Sequence, residues 1–86
     1  MDEQAKLSFL LDLAETLGVQ VRQAPPPDEL DLHPGGALVR LRERELLFLD
    51  PTASLGDRIG VAAAALAGRE QLQDLFLPPE IRQLLE

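Results

Sequence analysis

Residues 37–50 read ALVRLRERELLFLD, and this stretch decides the fold. Two apolar-rich runs flank Glu43-Arg44, which predicts an antiparallel hairpin turning at those two residues. In that register Leu41 stands opposite Leu46 and Val39 opposite Phe48. Their face is wholly apolar and is expected to receive the helices. The reverse face then carries Arg42 beside Glu45, Arg40 beside Leu47 and Leu38 beside Leu49, a mixture too apolar for plain exposure to water. Glu-Arg is a poor pair for the primed two-residue turns, which need positive φ. A one-residue slip of the turn is the competing register.

On the N-terminal side, Leu7, Leu10, Leu11, Ala14 and Leu17 recur with helical period over Asp2 to Leu17, and Gly18 supplies a stop. Val19 and Val21 alternate with Gln20 and Arg22, the pattern of a short strand with one buried face. Residues 24–35 open with three prolines followed by acids, which predicts a surface loop. On the C-terminal side, Ser54 and Asp57 form a weak capping box for a second helix with Leu55, Ile59, Ala62 and Leu66 on its buried stripe. Gly68 closes it. Residues 69–86 form a tail with a short helix from Glu80 to Leu85, entered through Pro78-Pro79. The expected fold is α+β in the order α1-β1-β2-β3-α2-α3: a three-stranded antiparallel sheet with helices packed on one face, residues 1–86 forming one domain.

A chain of 86 residues buries only about 60 to 65% of its unfolded surface, so something beyond its own core is expected to support it. There is no cysteine and one histidine, His33, so neither disulfides nor a Cys/His zinc cluster can supply that support. A second subunit is the remaining means. The longest apolar run, Val61 to Ala67, is too short to span a bilayer, and the acidic Asp2-Glu3 start is unlike a signal peptide. A cytoplasmic location without membrane association is therefore expected. Fifteen acids against eight bases give a net charge of -7, and all three aromatics are Phe. Both features argue against nucleic-acid binding, the charge by repelling phosphates and the composition by lacking stacking platforms.

Few residues suggest chemistry. Arg22, Arg40 and Arg42 would share the non-core sheet face in the proposed register and could clamp a carboxylate or phosphate. The structural reading pairs Arg42 with Glu45 and leaves the other guanidinium stems covering leucines. His33, near Asp28, Glu29 and Asp31, lacks a second imidazole or thiol to complete a metal site. Gly35-Gly36 lacks the spacing of a phosphate loop and reads as a turn before a strand. Asp50 and Asp57 could be posed as acid and base, but a strand end and a helix start account for them.

The segments LAETLGVQV (13–21), LLFLD (46–50), DRIGVAAAALAG (57–68) and LPPEIRQLLE (77–86) resemble a small family of uncharacterised bacterial proteins, a likeness that implies no activity. More distantly, Leu13 to Ala67 is similar to the front of zinc metallopeptidases of the ImmA/IrrE type, which cleave phage repressors. In them a helix bearing HExxH follows the strands. The likeness places Ala63 and Ala67 at the two histidine positions and Ala64 at the glutamate position, so it implies the topology without zinc or hydrolysis. No catalytic residue, metal or cofactor is assigned. The expected function is a protein-protein interaction module, a homodimer or an adaptor docking a cytosolic partner. Its contact residues are expected among Leu38, Leu47, Leu49, Phe76 and Ile81. The alternative is a small anionic-ligand binder or minor enzyme using the arginine face.

Overall fold

The structure is a computed structural model that describes residues 1–23 and 35–86; of the loop expected over 24–35, all but Gly35, including His33 and its neighbouring acids, lies outside them. Helix α1 (Glu3–Thr16) starts where the Asp2 carboxylate accepts the Ala5 N–H at 2.8 Å, and Gly18 follows it with φ +87°. Strands β1 (Val19–Arg22), β2 (Gly36–Leu41) and β3 (Arg44–Leu49) come next. Helix α2 (Leu55–Leu66) is capped as its sequence predicts: the Asp57 N–H donates to Ser54 Oγ at 3.1 Å. A 3-10 turn (Glu70–Asp74) and α3 (Pro79–Leu85) complete the chain.

The α+β class holds, with the helices against one side of a three-stranded sheet, but the sheet is mixed. Its order is β1-β3-β2, with β1 parallel and β2 antiparallel to the central β3. The expected all-antiparallel arrangement is thereby corrected. The hairpin also turns one residue earlier than expected, at Arg42-Glu43, so that Leu41 pairs with Arg44, Val39 with Leu46 and Leu38 with Leu47. Arg42 supplies the positive φ, +54°.

The larger correction concerns which face is the core. Leu47 and Leu49 have no exposure to water and pack with Leu10, Ala14, Ala62, Leu66 and Ile81 under the helices. Val39, Leu41, Leu46 and Phe48, expected inward, occupy the opposite face and take no part in that cluster. The reason lies in β1. Its parallel register aligns Val19 and Val21 with Glu45 and Leu47, and Gln20 and Arg22 with Leu46 and Phe48. Either face of the hairpin alone is apolar enough to be buried. Adding β1 places two valines on one side and an amide and a guanidinium on the other, and burying the latter would strand polar groups away from water.

The glycine pair before β2 answers to close packing. Gly35 (φ +99°) leaves room only for a hydrogen against the Asp57 carbonyl, and a Cβ on Gly36 (φ +143°) would collide with the carbonyl of Phe48. Gly36→Ala is expected to destabilise the fold by about 2 to 3 kcal/mol through overpacking and a disallowed φ, read as a lowered urea midpoint. Arg42→Gly, which relieves positive φ at an exposed turn, is expected to raise stability by about 0.5 to 1 kcal/mol in the same measurement.

Candidate functional site

The three candidate arginines are not gathered on one face. Arg22, level with Phe48 on the open side, donates to Gln20 Oε1 at 3.3 Å. Arg40 pairs with Glu45 on the helix side, and Arg42 sits in the turn. The register therefore does not build a three-guanidinium clamp.

The strongest polar contact is one that the sequence reading passed over. Arg69, just past α2, donates from Nη1 to Glu45 Oε1 at 2.8 Å and from Nη2 to Oε2 at 2.7 Å. Its Nε and Nη2 also reach the Ala65 carbonyl at 3.1 and 3.0 Å, so the guanidinium spans the end of α2 and the start of β3. Arg40 Nε adds a third donor to Glu45 at 3.1 Å. The hydrogen bonds from Arg69 hold the Glu45 carboxyl at a pKa of about 2, against an ordinary 4.5. A cation one residue after a helix-ending glycine was the available signal, since it can satisfy the last carbonyls.

Of the other two candidate acids, Asp50 is engaged by its neighbour Thr52. Asp50 Oδ1 accepts the Thr52 hydroxyl at 2.7 Å and the Thr52 N–H at 2.9 Å, and these bonds keep its carboxyl below the usual range. Asp57 stands in the first turn of α2. Among the described residues no group of three or more His, Cys, Asp or Glu could hold a metal ion. Of the positions that the zinc-peptidase likeness places at its active helix, Ala63 is buried, Ala64 is exposed, and Ala67 lies beyond the last residue of α2.

Among the expected contact residues, Leu47, Leu49 and Ile81 are wholly excluded from water by the chain's own core, and Leu38 packs partly buried against it. Leu47, Leu49 and Ile81 cannot meet a partner while the fold is intact, whereas Leu38 keeps part of its surface. Phe76 stands 90% exposed. The other exposed large apolar residues are Met1 and, on the open sheet face, Leu41 (54% exposed), which heads a strip whose members Val39, Leu46 and Phe48 are half-buried. Beside Leu41 an open depression of about 840 Å3 is lined by Arg40, Leu41, Arg42, Glu43 and Arg44. Among the described residues no helix is long and apolar enough to cross a membrane. Comparison with protein-family models, with characterised proteins and with solved structures finds no match.

The Glu45-Arg69 contact carries a signed pH dependence. Because the folded pKa is depressed, its stabilisation is fully present above pH 4.5 and is lost as pH falls toward 2. Glu45→Gln is expected to cost about 1 to 3 kcal/mol at pH 7, leaving a partly buried guanidinium without its counter-charge. In urea titrations across pH, the gap between wild type and variant should narrow between pH 4.5 and 2.

Proposed function

We propose that the chain is a non-catalytic protein-interaction module that docks a partner on the open face of its sheet. The observation that supports this reading is the strip Val39, Leu41, Leu46 and Phe48: four large apolar side chains on one face, none joining the core cluster. An apolar strip held on paired strands is a preformed contact that need not be ordered on binding.

The dimension of the face favours a small contact. Strands about 4.8 Å apart and six residues rising about 3.3 Å each make a surface of roughly 14 by 20 Å. That is well below the roughly 800 Å2 per partner of a stable assembly, and it fits a transient one. Two copies meeting face to face would also bring Arg22 and Arg44 of each toward the same guanidiniums of the other, which disfavours the homodimer form of the reading. The anion-binding alternative needs convergent arginines, and the register separates them.

Phe76 favours a second docking point. It projects from a segment fixed on both sides, with Leu77 buried and Pro78-Pro79 following. A bulky aromatic on a rigid base resembles an interface anchor.

The two surfaces are separable by substitution, because Leu41 and Phe76 are both exposed. Tagged wild-type chain, Leu41→Asp and Phe76→Ser are compared for proteins retained from cells that express the chain, and sedimentation velocity gives the mass of the free chain. The expected result is a monomer at micromolar concentration whose partner is lost with Leu41→Asp and kept with Phe76→Ser. Retention by Leu41→Asp together with loss by Phe76→Ser would move the docking surface to the tail.

A further inference from the structure

The open face differs in charge from the chain that carries it. Among the described residues, its strand positions are Gln20, Arg22, Ala37, Val39, Leu41, Arg44, Leu46 and Phe48: two guanidiniums and no carboxylate, in a chain of fifteen acids and eight bases. The one carboxylate within the strands, Glu45, is turned to the helix side and held there by Arg69 and Arg40. The charges also have a fixed arrangement. Arg22 marks one end of the apolar strip, level with Phe48, and Arg44 marks the other, opposite Leu41. Four residues of β3 separate those levels, about 13 Å along the strand direction. In the turn, Arg42 and the carboxylate of Glu43 line the same hairpin end, so that Arg44 leaves this end net positive.

From this geometry we infer that the occupant of the open face is an amphipathic helix of a partner protein, with an apolar stripe flanked at both ends by carboxylates. The inference rests on the docking reading above and specifies its chemistry. A helix is about 10 Å across, so one fits lengthwise on a three-stranded face roughly 14 Å wide, and it covers 13 Å in about nine residues. Its middle apolar residues meet Val39, Leu46 and Phe48, while acids about nine positions apart reach Arg22 at one end and Arg42 and Arg44 at the other. Desolvated apolar contact supplies the attachment, and the end charges set orientation and select against basic helices. An anionic membrane offers similar chemistry, but a net charge of -7 repels such a surface at long range.

The test uses the full chain and two fluorescein-labelled synthetic helices of about 18 residues with one leucine stripe, carrying Glu at both ends in one peptide and Lys in the other. Fluorescence anisotropy reads binding. The Glu peptide is expected to bind roughly tenfold more tightly than the Lys peptide, with an affinity that falls as salt is added. Exchanging one guanidinium at each end, Arg22→Glu with Arg44→Glu, should invert the preference, and Leu41→Asp should abolish binding of both peptides. All three positions are exposed, so folding is not at stake. Equal affinity for the two peptides, with binding still lost in Leu41→Asp, would overturn the charge inference and leave the docking face standing. Binding unaffected by Leu41→Asp, or no binding of either peptide, would overturn it together with its assignment to this face. Tighter association with vesicles of anionic phospholipid than with the Glu peptide would replace the helix by a membrane surface.

Discussion

The fold depends on one constraint: the side chains of β3 that face the helices must be dry. Leu47 and Leu49 occupy the middle strand, flanked by a neighbour on each side, and have no exposed surface. Burying two leucines contributes on the order of 4 kcal/mol, large for a domain whose net stability is expected to be a few kcal/mol. Helices α1, α2 and α3 all reach that cluster. The close approaches at Gly35 and Gly36 bring β2 and the start of α2 against the end of the same strand, and Arg69 fastens the far end of α2 to its beginning. The polar and steric devices of the chain thus converge on β3.

How far this was legible in the sequence varied with the range of the signal. Both main helices, the Ser54 cap and β1 follow from local patterns: a hydroxyl at Ser54, helical spacing of leucines and alanines, alternation from Val19 to Arg22. The hairpin was harder because RERE offers two equivalent turns. A slip from Glu43-Arg44 to Arg42-Glu43 does not alter which residues share a face, so the grouping of Val39, Leu41, Leu46 and Phe48 survives the slip. What inverted was the destination of that group. Leucines lie on both sides of the hairpin, and the decisive polarity comes from β1 through a parallel pairing invisible to local reading.

The same misplacement shaped the candidate site. Arg22, Arg40 and Arg42 look like a cluster only if β1 and the hairpin share the expected register; in the mixed sheet they diverge to the open side, the helix side and the turn. Leu47 and Leu49 look like surface only while the opposite sheet face is read as the core; Ile81, in the tail, is buried because α3 packs its apolar side into the same cluster. Phe76 is different. Its setting among Leu75, Leu77 and two prolines resembles a core segment, yet it projects outward while Leu77 is buried and Leu75 half-buried.

The central position of β3 also bears on how the chain avoids fibrils. Glu45 to Leu49 combines leucines and a phenylalanine without proline or glycine, the composition that stacks most readily into cross-β ribbons. Here, among the described residues, that segment is the central strand, paired on both sides over Glu45 to Phe48. Both strands that enclose it precede it in the chain, so during synthesis its flanking partners have already left the ribosome when it emerges. The sticky strand is made last among the three, and a nascent chain never has to hold it waiting for a neighbour yet to be translated.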